Sequence, residues 1–473
     1  MDANILTELT TKAVNDGIVL AYELYKGLKE KKFDSLYLPK HDNYPSIAFY
    51  DSGLPYFTTT PGYFGHKVSY EKILENSKQD IELDSWKSLV NLYISTPQLY
   101  SFLKFNQWGP DYEDQNIDFI DFYIHQQLRK IVDAVCHSTK NPINDKKVKS
   151  QKIKNWITSI CSKHLNYEVI IPIIIHQPEG KRFTINEKIR IEQLSRKIQL
   201  SRNFELPDDT IAHQKVIAAA THGIFISDIL TEINNDNRWE RISQVIKKIE
   251  SSVDKITGIF ANLRIAISEP IGFCQVIAKP LDWEDDWFGD LEKLDIFGYR
   301  KYPPIYEKER GFSKLIITKS QLSVFKTLVN KDPNNKKINI AKHKLFEADT
   351  REKEDDSVLD ISIALEALLG DSYDNLRYKV SLRCAAICKK IRLLEFTPLE
   401  VKNGIKIFYD YRSAIIHGRL KEIKKTSTIS FERCEPLKTV YMGRLVLRHI
   451  IYFLIKFPEY LKVDEIDNYL LEK

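Results

Sequence analysis

The segment 409–419, YDYRSAIIHGR, places three polar side chains at the end of an apolar helical run. The guanidinium of Arg412 can hold a phosphate by two parallel hydrogen bonds, and the imidazole of His417 can transfer protons near neutral pH. Ser413 and His417 are four residues apart on one helix face, so we expect a hydrogen bond between them. Arg412 and His417 lie about 140° apart around a helix axis. The two side chains can meet only if the long arginine side chain bends towards the histidine, the last helical turn loosens, or a second copy of the helix takes part. Together they suit RNA transesterification without a metal.

Helical periodicity predicts the elements that must position these residues. Pro398 opens the run that carries them, at a position where proline fits, and Gly418 closes it where a left-handed cap is needed. An antiparallel helical bundle is the expected packing. The predicted helices are 313–331, 338–346, 358–369, 376–391, 398–417 and 436–457. The charged stretch 347–356 is expected to be a solvated helix end or loop.

The region before the bundle has a different pattern. Residues 1–160 are predicted to be mostly helical, with a looped insertion at 44–63 that is rich in Pro, Gly, Tyr and Thr. YEVIIPIII, from Tyr167, and RFTINEKIRIEQL, from Arg182, read as strands, and 262–281 adds two strand candidates. The other predicted helices are 5–32, 86–105 and 117–135. The fold class is therefore α+β, with a mixed N-terminal region over 1–310 (helical over about 1–160, sheet-containing over about 161–310) and a helical bundle over 311–473.

Composition restricts the function classes. The chain has 473 residues and a net charge of +5, so it holds two or three domains and any affinity for nucleic acid needs a local patch. It contains no phosphate-binding glycine motif of the P-loop or Rossmann type. Its six scattered cysteines predict reduced thiols and a cytoplasmic protein. Its apolar runs are too short to span a membrane, so no membrane partner is expected. The abundance of Lys, Ile and Asn hints at a bacterial source.

Three ordered segments resemble one known family. They are SVLDISIALEALLGD from Ser357, LRYKVSLRCAAI from Leu376, and FYDYRSAIIHG from Phe408. The last segment resembles the R-x4-6-H signature of HEPN ribonucleases, and the ordered set resembles the ApeA-like HEPN branch. The N-terminal strands resemble, more loosely, the sheet region before HEPN in long family members.

The resemblance implies a bundle that dimerises so that two R-x4-6-H motifs meet in one cleft. Arg412 and His417 then take the catalytic positions, and Ser413 takes the polar position after the arginine, which is more often Asn, Asp or His in the superfamily. His417 would activate the ribose 2′-hydroxyl or protonate the leaving 5′-oxygen, and Arg412 would hold the phosphate. The products would be a 2′,3′-cyclic phosphate and a 5′-hydroxyl. Neither a cofactor nor a metal is expected in this reaction. The alternative is that both residues only cap the helix or bond a neighbour.

Other polar residues have structural and functional interpretations. Glu366 interrupts an apolar stripe, and Arg383 in the next helix is its expected partner, either as an ion pair that braces the bundle or as a residue lining the cleft. Tyr409 and Tyr411 could stack on bases beside a phosphate-tracking groove. The basic residues of that groove, which could equally be merely solvated, are Lys389, Lys390, Arg392, Arg419, Lys421, Lys424, Lys425 and Arg433.

Two further groups are not expected to bind metal. Cys384 and Cys388 lie one turn apart without the ligands that would complete a zinc site, so core packing is favoured. No metal motif joins His213, His222 and the acidic residues near 284–290, and a solvated acidic loop is the expected structure there. The acidic residues are Glu284, Asp285, Asp286 and Asp290.

The sequence therefore predicts a metal-independent HEPN endoribonuclease in antiphage defence by abortive infection. Its partners would be RNA, with tRNA as one candidate, a second copy of the chain bound through the C-terminal bundle, and an unknown phage-derived trigger; a higher oligomer stays open. The N-terminal region would sense the trigger or restrain the nuclease. The rival hypothesis is a non-catalytic HEPN module that binds nucleotide, RNA or protein. A third places a separate enzyme in the N-terminal half, and a metal bound near 284–290 would favour it.

Overall fold

The computed structural model describes residues 3–30, 38–59, 67–100, 117–204, 211–308, 313–371, 375–391, 396–431 and 434–471. The chain forms two compact units, each assembled from more than one segment. The first unit contains Met1–Pro172, Gln193–Ser251 and Gln275–Gly298, and the second contains Ile173–Glu192, Ser252–Cys274 and Tyr299–Lys473. Helices and strands occur in both, so the α+β class is confirmed at this level.

Helices dominate the chain. In order, they are α1 Ala3–Glu30, α2 Tyr70–Ser77, α3 Asp84–Ser95, α4 Ile117–Ser138, α5 Lys146–Cys161, α6 Arg196–Phe204, α7 Ile211–Ala218, α8 Arg238–Ile267, α9 Ile305–Lys308, α10 Lys319–Asn330, α11 Lys336–Thr350, α12 Glu354–Leu369, α13 Leu376–Ile391, α14 Pro398–Ile416, α15 Leu420–Thr426, α16 Thr439–Lys456 and α17 Val463–Leu471. None of the described helices is both long and apolar enough to cross a membrane.

The strands are short. They are β1 Pro45–Phe49, β2 Pro55–Thr59, β3 His164–Leu165, β4 Tyr167–Ile174, β5 His176–Pro178, β6 Arg182–Thr184, β7 Ile189–Gln193, β8 Ala220–Ile226, β9 Ile233–Asn234, β10 Phe273–Pro280, β11 Trp287–Phe288, β12 Leu291–Glu292, β13 Asp295–Lys301, β14 Leu315–Ile317, β15 Thr428–Phe431 and β16 Cys434–Lys438. The largest sheet has the order β13-β10-β4-β8-β7-β6. All residues of β4 are buried, which accounts for its apolar run over 169–174.

The core of the first unit is helical. Apolar faces of α1, α3, α4 and α5 meet around Trp86, whose indole N–H donates to the carbonyl of Ala13 at 2.8 Å. In the same unit β10 runs antiparallel to β4, with Ile277 opposite Ile170. The strands β1 and β2 form a separate hairpin.

The core of the second unit is the C-terminal bundle. The apolar helix α16 packs against α11, α12, α13 and α14. Gly443 of α16 lets Phe408 of α14 approach closely, because a Cβ at this glycine would lie 2.7 Å from the phenyl ring. The helix that carries the motif is thus held firmly along its buried side.

Several predicted elements are corrected by the structure. Residues 45–59 form the β1–β2 hairpin and not a loop, while 60–63 of the predicted insertion lie outside the described residues. Residues 262–267 end the long helix α8 instead of forming a strand. A strand, β14, precedes α10, and the hairpin β15–β16 precedes α16. The ends of the helices predicted at 5–32 and 86–105 lie outside the described residues.

Candidate active site

The start of α14 is fixed by a capping box. The hydroxyl of Thr397 accepts the Glu400 amide at 3.2 Å, and the Glu400 carboxylate accepts the Thr397 amide at 2.7 Å. Pro398 occupies the first turn, where a missing N–H has no cost. The local sequence therefore sets where this helix begins.

The other end of α14 closes at the motif. Gly418 has φ +64°, as predicted, and its amide donates to the carbonyl of Ile415 at 3.1 Å. The Arg419 amide reaches back to the carbonyl of Ala414 at 2.9 Å, which completes a Schellman cap. His417 is the C-cap residue, with φ −94° and ψ 5°, so it leaves the helix where the backbone turns.

Arg412 lies beside Glu366 of α12. Its Nη2 is 3.9 Å from Glu366 Oε1, at the outer limit of an ion pair. Both Glu366 Oε1 and Arg412 Nε are buried atoms without a hydrogen-bond partner among the described residues. Buried polar atoms are usually paired, so both side chains have hydrogen-bonding capacity left for a further partner.

Tyr409 adds a third polar group to the same place. Its hydroxyl is buried and makes no well-formed hydrogen bond within the described part of the chain. Burial, with Glu366 nearby, raises the pKa of Tyr409 well above its ordinary value, so the phenol stays protonated. A neutral phenol, a carboxylate and a guanidinium thus surround one point at the end of α14.

His417 has the opposite surroundings. It is exposed, and no hydrogen bond of its imidazole is found among the residues that the structure describes. The predicted bond from Ser413 is absent, because the backbone turn at the C-cap takes the imidazole off the regular helical path that the spacing assumed. Arg412 and His417 are likewise not hydrogen-bonded to each other within the described chain.

The predicted ion pair between Glu366 and Arg383 is wrong. Arg383 donates to Asp371 at 2.8 Å, to Asp467 at 2.8 and 2.5 Å, and to the carbonyl of Leu369 at 2.6 Å. These bonds lower the pKa of Asp371 below its ordinary range. Arg383 therefore fastens α17 and the end of α12 to α13, which leaves Glu366 for Arg412.

Tyr411 and Tyr409 do not form a stacking surface. Both side chains are buried in the bundle. The Tyr411 hydroxyl donates to Glu354 Oε1 at 3.5 Å, and burial raises the pKa of Tyr411 to about 12. Tyr411 supports the site by packing α14 against the start of α12, and its ring is not free to meet a base.

The basic residues divide into two groups. Arg377 at the start of α13 bonds Asp410 near the end of α14 at 2.6 Å, so the two helices run antiparallel. Lys389 and Lys390 then lie near the opposite end of α14, a helix about 28 Å long. The exposed basic residues that follow the motif, on and before α15, are Arg419, Lys421, Lys424 and Lys425. Arg392 and Arg433 lie outside the described residues.

Exposed apolar side chains flank the motif. Ile416, one turn beyond Arg412, is 51% exposed, and Leu420 is 73% exposed. Ile363, one turn before Glu366, is 42% exposed. Apolar groups that border a set of unpaired polar atoms are typical of a surface that binds another protein.

The remaining predictions have mixed outcomes. Cys384 and Cys388 are buried in the bundle core as expected, and burial raises the pKa of Cys388 to about 12. His213 and His222 are also buried. The acidic residues at 284–290 do not form a solvated loop, since they are buried or half-buried and pair with Lys152, Arg241, Lys130 and Lys67 respectively.

Asp349 is a buried residue that the sequence interpretation missed. Its fully buried carboxylate lies 3.2 Å from Arg264, 3.1 Å from Arg444 and 3.2 Å from Arg448. Burial lowers the pKa of Arg264 to about 10. The available signal was the pair Arg444 and Arg448, four residues apart on an otherwise apolar helix, because such arginines need a buried acid. The stretch 347–356 is therefore not simply solvated.

The fold and site thus define a largely helical α+β chain whose C-terminal bundle presents an arginine and a histidine at one open helix end. No protein family, no curated protein and no solved structure matches the chain.

Proposed function

We propose that the chain is a metal-independent endoribonuclease of the HEPN type that acts as a homodimer in antiphage defence by abortive infection. The observation that carries the proposal is the set of unpaired polar groups at the end of α14. Arg412 and Glu366 hold buried atoms without hydrogen bonds, and the His417 imidazole is exposed and unbonded among the described residues. Such groups are expected where a substrate or a second chain completes the site.

The roles follow from the chemistry of each group. One His417 accepts the proton of the ribose 2′-hydroxyl while the new 2′-oxygen–phosphorus bond forms. The partner subunit's His417 donates a proton to the 5′-oxygen as its bond to phosphorus breaks. Arg412 holds the phosphate oxygens and stabilises the charge that develops on them. The products are a 2′,3′-cyclic phosphate and a 5′-hydroxyl.

Dimerisation brings the two motifs together in this proposal. Within the described chain Arg412 and His417 make no hydrogen bond to each other, whereas a twofold axis can place two copies in one cleft. The exposed Ile363, Ile416 and Leu420 border the motif and would be covered by the partner. The basic residues of α15 would then follow the RNA backbone on either side.

The test compares matched variants of the full chain. We expect Arg412→Ala and His417→Ala each to lower RNA cleavage about 100-fold or more, because each removes a group that acts in the transition state. Arg377→Ala and His343→Ala are the controls, since both remove exposed side chains of the same types in the same unit. RNA ends are sequenced from cells that express each variant, beside cleavage of tRNA in vitro.

Three outcomes separate the alternatives. Loss of cleavage in both motif variants but neither control, with cyclic phosphate ends, supports the proposal. Cleavage at the wild-type rate in either motif variant removes this site from consideration. A wild-type chain that binds RNA but never cuts it supports the non-catalytic binding module.

A further inference from the structure

A second group of titratable side chains lies in the first unit. Asp133 and His137 stand one turn apart on α4, and His41 comes from the segment before β1. The His41 amide donates to the carbonyl of Lys67 at 3.0 Å, which holds this segment against the chain just before α2. His41 and Asp133 are buried, and His137 is nearly so.

The geometry of the group suits a metal ion. His41 Nε2 is 2.8 Å from Asp133 Oδ2, and His137 Nε2 is 3.5 Å from Asp133 Oδ1. One ligand atom from each residue lies within 4.8 Å of the others. A zinc ion with bonds of about 2.0–2.1 Å separates tetrahedral ligands by roughly 3.3 Å. The three side chains therefore need shifts of no more than about 1 Å to share an ion.

The surroundings orient the carboxylate. The amides of Tyr70 and Glu71 donate to Asp133 Oδ1 at 2.7 and 3.4 Å. This arrangement holds one carboxylate oxygen with backbone donors and leaves Oδ2, the oxygen beside His41, for an ion. Hydrogen bonds to the second oxygen are the usual support of a metal-binding carboxylate.

A cavity of about 400 Å³ adjoins the group. His41 forms part of its wall, together with Glu71, Lys130 and Asp286. Water in the cavity can complete the coordination of an ion bound by three protein ligands, and the cavity provides a route of entry.

We infer that His41, Asp133 and His137 bind a divalent first-row transition-metal ion of the zinc type. The ligands are Nε2 of each imidazole and the Asp133 carboxylate, and water supplies the remaining position. When Nε2 binds the ion, the proton that links His41 to Asp133 moves to Nδ1 of that ring or, from a protonated ring, to solvent. The same holds for the His137 proton directed at the Val68 carbonyl, which lies 2.8 Å from Nε2. Two imidazoles and one carboxylate favour such an ion over Mg²⁺ or Ca²⁺.

The competing explanation is a closed hydrogen-bond network. Asp133 could accept from both histidines and from the two amides, and hold α2, α4 and the His41 segment together without an ion. The two explanations differ in whether an ion binds at stoichiometric amount and whether its affinity depends on Asp133.

The experiment measures binding of Zn²⁺ and Co²⁺ to the full chain after treatment with EDTA and dialysis. We expect one Zn²⁺ per chain in calorimetry, and a visible Co²⁺ spectrum of a four- or five-coordinate site. Asp133→Asn and His137→Ala should each lower the affinity at least about 10-fold. Asp121→Asn is the matched control, because Asp121 and His125 form a second carboxylate–histidine pair four residues apart on α4.

Each result decides the question. A wild-type chain with native circular dichroism that binds neither ion overturns the inference, and so does equal affinity in wild type and folded Asp133→Asn. If both ligand variants unfold, a pH-dependent Co²⁺ spectrum of the wild type that excess Zn²⁺ removes and excess Mg²⁺ does not supports it, and a wild type without such a spectrum overturns it. The double variant Arg412→Ala, His417→Ala should bind Zn²⁺ normally, so this result is independent of RNA cleavage.

Discussion

His41 of the first unit and His417 of the second stand in opposite surroundings. His41 is buried and bonded to a buried carboxylate that also accepts two backbone amides. His417 is exposed at a helix end, with no hydrogen bond of its side chain in the described structure. The first histidine is positioned by its own unit, whereas the second has its position set only by the backbone that carries it.

Asp133 beside His41 and Glu366 beside Arg412 also differ in how fully their carboxylates are paired. Burial alone would raise the pKa of Asp133, but the neighbouring His137 and His41 outweigh it and lower the pKa to about 2. Glu366 meets Arg412 only at 3.9 Å and keeps an unpaired oxygen. This difference agrees with the two proposals, in which the first group is complete within one chain, or needs only an ion, and the second is completed by a partner subunit.

The largest effect is expected when the Arg412 and His417 site is disrupted through the partner subunit. Wild-type chains are mixed with His417→Ala chains at roughly one to nine under conditions of subunit exchange. Random pairing then leaves about 1% of dimers fully wild type, although about 10% of the chains are. We expect cleavage to fall towards the lower figure, because a mixed dimer has one histidine for two proton transfers.

Dilution with Arg377→Ala chains is the control for this mixing experiment, and these chains should support cleavage. A monomer that cuts RNA at full rate, or activity that follows chain dilution alone, would show that each chain holds a complete site.

An intermediate effect is expected on the free energy of unfolding when Asp133 or Glu366 is neutralised. Asp133→Asn leaves His41 and His137 without an anionic partner in a buried place, and removing one partner of such a pair costs about 3 kcal/mol. Glu366→Gln neutralises a distant and partly exposed pair, and should change the free energy of unfolding by less than about 1 kcal/mol. Urea unfolding of both variants, followed by circular dichroism in EDTA, measures the difference. Equal losses would contradict the contrast between the two sites.

The sequence predicted the motif helix well because its signals are local. Thr397, Pro398 and Glu400 define the start of α14, and Gly418 defines its end, all within one turn of the residues they fix. The strand predicted at 262–267 is wrong because a short apolar run fits either a strand or the end of a helix. Only tertiary structure shows that they finish α8.

The partners of charged residues could not be predicted in the same way. Arg383 has Asp467 as its partner, 84 residues away, and His41 meets Asp133 across 92 residues. Pairing across such separations depends on how each unit folds internally, and Glu366, on the preceding helix, is not the partner of Arg383. The spacing of Asp133 and His137 was visible, but it has little meaning until His41 supplies the third group.

The smallest expected effect concerns Ser413. The spacing predicts that its hydroxyl orients His417, and a partial loss of cleavage would then follow its removal. In the structure no hydrogen bond joins the two side chains among the described residues, because His417 leaves the regular helix at the C-cap. We therefore expect Ser413→Ala to lower single-turnover cleavage less than about threefold, with unfolding unchanged.

The matched change in the first unit, Asp133→Asn, removes a bond that is present, and should lower stability strongly. A loss of 10-fold or more in Ser413→Ala, with a shifted pH profile, would mean that dimer formation brings the hydroxyl onto the imidazole. His417 would then also be positioned by a side chain of its own chain, Ser413, once a partner closes the cleft.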